Sequence, residues 1–194
     1  MRCERAGSGA LQLAPTRVHE AEGFGRHAFA LFQSVCHDGP VVWVGPAHAP
    51  ERLLLAGLPQ GVGERLHIVR AGGVDLLWAV EEALRAAPVG LVVAELETAL
   101  SLTAGRRLQL AAEAGGTTGL VLIRQGAGSN AAQTRWHCAP RPGAGADSTL
   151  HQWSLIKNKR GTLGDWTLHW DGTSAAFHLV AETGERRGPA PPPL

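Results

Sequence analysis

The order of segments constrains this chain most. Three short, almost unbroken apolar runs, "PVVWVGP" from Pro40, "GLVVAEL" from Gly90 and "GLVLIR" from Gly119, alternate with stretches whose apolar residues recur every three or four positions. Continuous apolar runs suit strands covered on both faces, and strands separated by helices of this length pair in parallel through right-handed crossovers. The fold class that follows is α/β, with a mostly parallel sheet flanked by helices.

The helical stretches are specific. "FGRHAFALFQSVC" puts Phe29, Phe32, Val35 and Cys36 on one face, and "LLWAVEEALRAA" does the same with Leu77, Val80 and Leu84, adding a Glu81–Arg85 pair and Asp75 as its cap. Ser101 or Thr103 starts "LTAGRRLQLAAEAGG", which stops at two glycines. Pro50 opens a short helix through "ERLLLAGL", "RLHIVR" reads as a strand, and "RVHEAEG" from Arg17 as a weak first one. Beyond Arg124 the pattern changes. "QTRWHC", "QWSLIK", "WTLHW" and "AAFHLV" follow without helices between them, and Asp171-Gly172 signals a hairpin. An antiparallel β extension is therefore expected at the C-terminal side, with "APRPGAGADST" before it as a loop. The N-terminal 15 residues read as a flexible segment, 16–182 as one domain, and 183–194 as a disordered Pro-rich tail.

Composition excludes several classes. A formal charge of +1 over 194 residues gives no global pull toward nucleic acid or membranes, and no apolar run is long enough to span a bilayer. Three cysteines make no disulfide framework, and a cytoplasmic location is expected. Cys36-His37 and His137-Cys138 are adjacent pairs, but neighbours on a strand point to opposite faces, so buried thiols are expected and no metal site. No G-x-S-x-G elbow occurs and no catalytic residue is assigned. Trp153, Trp166 and Trp170 read as core.

A phosphate-binding P-loop needs a lysine and a Ser/Thr directly after the first strand. Here the first strand is followed by "EGFGRH", and the chain's only lysines, Lys157 and Lys159, sit together in "WSLIKNKRG". Gly23 and Gly25 read as a tight turn. Arg106 and Arg107 are open to two readings, a solvated helix face or contacts to a partner.

These segments together resemble the RecA-like fold and, within it, the ImuA family of damage-induced accessory proteins. The closer match rests on "LLWAVEEALR", on "LTAGRRLQLAAEAGG" followed by "GLVLIR", and on "AAQTRW", and covers about Thr16 to Asp171. The resemblance makes Glu95 the counterpart of the acidic Walker B residue and puts Gln125 at a nucleotide-sensing position. It makes Gly23, Gly25 and Arg26 a degenerate nucleotide loop. The departures matter as much. Ala47 stands where RecA carries a catalytic glutamate, and "GAGSNAA" replaces a long DNA-binding loop. The resemblance implies a non-catalytic scaffold without a cofactor in SOS-induced mutagenic translesion synthesis, beside ImuB and an error-prone replicative-type DNA polymerase, with RecA or DNA met only indirectly. Lys157, Lys159, Arg160, Arg106 and Arg107 are then the candidate contacts to partner or DNA. The alternatives are a SulA-like division inhibitor, and a RecA-like ATPase or DNA-binding protein with an unorthodox nucleotide loop.

Overall fold

The structure, a computed structural model, describes residues 9–49, 53–54, 57–143 and 148–187. One nine-stranded sheet organises them. In chain order the elements are β1 (Val18–Glu22), α1 (Arg26–Cys36), β2 (Val41–Pro46), β3 (Leu66–Ala71), α2 (Val74–Arg85), β4 (Leu91–Glu95), α3 (Leu102–Gly115), β5 (Thr118–Leu122), β6 (Thr134–Pro142), β7 (Ser148–Asn158), β8 (Thr162–Asp171) and β9 (Ala176–Arg187). Across the sheet the strands run β3-β2-β4-β5-β1-β6-β7-β8-β9. The pairs from β3 to β6 are parallel and those from β6 to β9 antiparallel. The expected α/β class with an antiparallel extension is what the chain adopts.

Two apolar layers cover the sheet. On one face α1 packs Phe29 and Phe32 onto Trp43, Leu120, Trp136 and Trp153. The Phe29 ring lies 5.0 Å from both Trp136 and Trp153, and Phe32 reaches Trp153 and, at 5.7 Å, Phe177. One helix thereby welds the parallel strands to the antiparallel ones. On the other face α2 and α3 cover β2, β4 and β5 through Leu76, Val80, Leu84, Leu108 and Ala112. No buried member of that second core comes from β6–β9 among the described residues, so the extension keeps one face outside it.

Local signals explain the helix ends. Ser101 Oγ accepts from the Ala104 amide at 3.1 Å, and Gly116 closes α3 in the left-handed conformation at φ 71°. Glu81 and Arg85 pair at 2.5 Å as expected. The cap of α2 is Gly73, however, and Asp75 sits in the first turn, where its charge favours the helix dipole instead. The buried face of α2 is Leu76, Val80, Glu81 and Leu84, with Leu77 half-buried.

Other expectations are corrected. The weak first strand is the middle of the sheet, with all five residues of β1 buried. Leu11 and Leu13, placed in a flexible segment, are fully buried in the α1-side core, each worth about 2 kcal/mol of apolar burial; residues 1–8 lie outside the described ones. Much of "APRPGAGADST" is strand: Ala139–Pro142 pair with β7 as far as Thr149. Pro140 and Pro142 are tolerated there because β1 stops pairing with β6 at His137, leaving a local edge that needs no amide donor. Between Asp171 and Ala176 the hairpin has a four-residue loop, closed by Asp171 accepting from the Thr173 amide (2.9 Å) and Ser174 Oγ (2.6 Å). β9 continues to Arg187, past the expected domain end at 182, and residues 188–194 lie outside the described ones. The helix expected from Pro50 falls largely outside them too.

Candidate functional site

In open α/β sheets, ligands collect outside the carboxyl ends of the parallel strands. Here β1 ends at Glu22 and turns into α1 through Gly23, Phe24 and Gly25. Gly23 has φ 87°, and an added Cβ there would collide with the Cys138 carbonyl of β6, so the backbone approaches too closely for a side chain. The Gly25 amide donates to that same carbonyl at 2.9 Å. Arg26 folds back, its Nη1 donating to the Gly23 carbonyl at 3.0 Å. A phosphate cradle needs outward-facing amides; this turn spends the Gly25 amide on the neighbouring strand. Cys138 itself is buried, and burial pushes its thiol well above the ordinary range.

Glu95 closes β4. Trp43 Nε1, buried in the core, donates to Glu95 Oε1 at 2.5 Å, and His27 Nε2 lies 3.7 Å from the same oxygen. The His27 ring stacks near-parallel on Trp43 with centroids 6.3 Å apart. His48 and Glu97 pair at 3.0 Å beside them. His27, His48, Glu95 and Glu97, with Arg26 and Arg124, line a crevice of about 200 Å³. One carboxylate oxygen of Glu95 therefore serves an indole of the core. Gln125 is exposed in the turn after β5.

From that turn the chain crosses the α3-side face as a strap, residues 126–133, held near both ends and midway. At the carboxyl end of β1, Glu22 Oε2 accepts from the Gly126 amide at 3.1 Å while His137 Nδ1 lies 3.3 Å from Glu22 Oε1. Midway, Glu20 Oε1 accepts from the Ser129 amide at 2.8 Å and Oε2 from Arg135 Nε at 2.9 Å. Arg135 Nη2 donates to the Ser129 carbonyl at 3.1 Å. At the amino end of β1 the Gln133 amide reaches the Val18 carbonyl at 2.8 Å. Gly105 of α3 seats the strap, since a Cβ there would lie 2.8 Å from Ala131 Cβ.

The two lysines complete this arrangement. Lys157 Nζ donates to the carbonyls of Ser129 (2.9 Å) and Ala132 (3.0 Å), and Lys159 Nζ donates to that of Ala131 (2.8 Å). Desolvation, with Arg135 nearby, lowers the Lys157 pKa. Both ammonium groups thus meet the strap, Lys157 half-buried and Lys159 exposed like Arg160 beside it. Arg107 donates to Glu81 at 2.6 Å and ties α3 to α2; Arg106 is exposed without an ion-pair partner among the described residues.

The structure gathers Arg26 and Glu95 at the crevice, puts Gly23, Gly25 and Gln125 in the turns that follow β1 and β5, and groups Lys157, Lys159 and Arg160 at the end of β7. Glu20, Glu22 and Arg135, which organise the strap, went unnoticed in the sequence. For the two glutamates the signal was their spacing in "VHEAE", which puts both carboxylates on one face of a strand.

No family model matches the chain. Over 119 residues it is 41% identical to Protein ImuA of Caulobacter vibrioides, with the same figures in two strains. The match covers 54% of this chain and 47% of the relative, so the chain spans about half the length of the curated relatives it matches. The shared stretch makes this chain similar to Protein ImuA over about half of its length.

Proposed function

We propose that the chain is a non-catalytic member of the ImuA/ImuB mutagenesis system. It holds an ImuB-like partner and an error-prone replicative-type polymerase together during translesion synthesis after DNA damage. The observation that carries this reading is the strap. The resemblance assigns to this region a long DNA-binding loop; here Glu20, Glu22, Arg135, Lys157 and Lys159 bind a short segment down by its own amides and carbonyls. A second observation supports it. At the turn that stands for the nucleotide loop, the Gly25 amide is engaged by Cys138 and the Arg26 guanidinium by Gly23. A protein arranged this way offers surfaces rather than chemistry.

The deciding experiment is reconstitution of the full chain with an ImuB homologue and the error-prone polymerase. The expected result is a ternary complex unaffected by ATP. ATP turnover stimulated by single-stranded DNA, or the absence of any complex, would overturn the reading.

A further inference from the structure

The cysteines divide unequally. Cys138 is a free thiol, fully buried in the α1-side core, as expected of a cysteine in this chain. Cys36, the last residue of α1, departs from that expectation: it is half-buried and disulfide-bonded. The chain holds one further cysteine, Cys3, so elimination leaves it as the partner. Other contacts bring the N-terminal segment to the same place. Gln12 Nε2 donates to the Cys36 carbonyl at 3.4 Å, and Gln33 Nε2 to the Leu11 carbonyl at 2.8 Å. Leu11 and Leu13 are buried in the core beneath, and the Ala14 carbonyl accepts from His19 Nε2. The chain between Cys3 and Gln12 is long enough to return to Cys36, since each residue spans up to about 3.5 Å.

The helix end that carries Cys36 is held in place. Arg65 donates to the carbonyls of Ser34 (2.6 Å), His37 (2.8 Å) and Gly39 (2.5 Å) around it. Opening the disulfide therefore releases the N-terminal side and leaves the helix where it is. That side walls a crevice: Ala10 and Leu13, with Trp136, Leu155 and Arg160, line a space of about 210 Å³.

We propose that Cys3 and Cys36 are an oxidant-operated clip: their disulfide fastens the N-terminal segment to the end of α1 and keeps this wall of the crevice in place, and its reduction lets the segment lift. The clip is independent of the scaffold reading. The sequence leads to a reducing compartment, where disulfides are as a rule transient and redox-sensing. Cys36 is open enough for small oxidants and thiols to reach, while Cys138 is too deeply buried to exchange with it. A hydroperoxide is the oxidant that balances the step. One thiolate attacks the O–O bond of hydrogen peroxide, giving a sulfenic acid and, once the leaving hydroxide is protonated, water. The second thiol attacks that sulfur, the S–S bond forms, and a second water leaves. The two electrons lost by the sulfurs are those that reduce the peroxide. Two molecules of a small thiol return them through a mixed disulfide.

The test compares the full chain kept reduced with the same chain treated with hydrogen peroxide. Proteolysis of the treated chain without reductant is expected to release one peptide joining Cys3 to Cys36, while Cys138 stays a thiol that alkylates after unfolding. Excess reduced glutathione is expected to open the bond. Hydrogen exchange at residues 10–14 should be at least about tenfold faster in the reduced chain, and Tm lower by about 5–10 °C. Cys3→Ser and Cys36→Ser are each expected to abolish both differences, and Cys138→Ala to keep them. A disulfide-linked dimer, a peptide joining Cys36 to Cys138, or no joined peptide at all overturns the proposal. So does a bond that survives glutathione, which would be a static brace, or equal exchange at residues 10–14 in the two forms.

Discussion

Lys157 Nζ donates to the Ser129 carbonyl at 2.9 Å and so ties the end of β7 to the strap leaving β5. The same ammonium reaches Ala132, and Lys159 takes Ala131 between them. The lysine pair is a clamp on backbone carbonyls. Replacing both with alanine should cost about 2–3 kcal/mol of stability, since charged donors are removed from carbonyls that sit over buried alanines. Urea denaturation measures the loss, and hydrogen exchange at residues 129–133 should rise before the rest of the sheet opens.

Glu20 is buried against Arg135, whose side chain is 18% exposed. Glu20→Gln strands that guanidinium, at an expected cost of about 3 kcal/mol. The double variant Glu20→Gln/Arg135→Met should recover much of it, because the uncompensated charge is gone. A double-mutant cycle from denaturation midpoints checks the coupling.

Gly105→Ala sets two effects against each other. Helix propensity gains about 1 kcal/mol, while the new methyl would lie 2.8 Å from Ala131 Cβ and 2.9 Å from Ser129 Oγ. Overpacking costs about 1–3 kcal/mol, so a net loss is expected, larger for Gly105→Val. Thermal unfolding of the two variants gives the order.

His19 is fully buried between Thr134 Oγ1 (2.7 Å) and the Ala14 carbonyl (3.0 Å), and burial lowers its pKa to about 4. The unfolded chain, with the ordinary value of 6.5, therefore binds the extra proton first. Stability is full above about pH 6.5 and falls as pH drops toward 4, by about 3 kcal/mol over the window. His37 and His151 are shifted in the same direction by burial. Urea midpoints at pH 7 and 4.5 should converge in His19→Gln relative to the wild type, which isolates this histidine from the other two.

Glu95→Ala removes the acceptor of Trp43 Nε1. An unpartnered indole in the core costs about 1–3 kcal/mol, so the variant should lose stability. Under the scaffold reading its binding to an ImuB homologue stays intact, and a pull-down of the refolded variant checks that.

Much of this architecture was legible from periodicity, and the failures share a cause. β2, β4 and β5 carry unbroken apolar runs, and α3 announces both of its ends with Ser101 and Gly116. β1 was undervalued because its burial depends on partners about a hundred residues away: Glu20 is acceptable in the core only once Ser129 and Arg135 arrive. The strands around Pro140 hid behind a turn-like composition that a local sheet edge accommodates. At the candidate site the residue types were visible but not their direction. Nothing in "LIKNK" says that two lysines meet carbonyls of the strap, or that Glu95 meets an indole on β2.

The strap begins beside Glu22 at one rim of the sheet and ends beside Val18 at the other. Tethered at both limits and in the middle, it behaves as a spar rather than a hinge. Arg124 and Arg160, which flank its two ends, are thereby kept at a constant separation, like two bolts on one bracket.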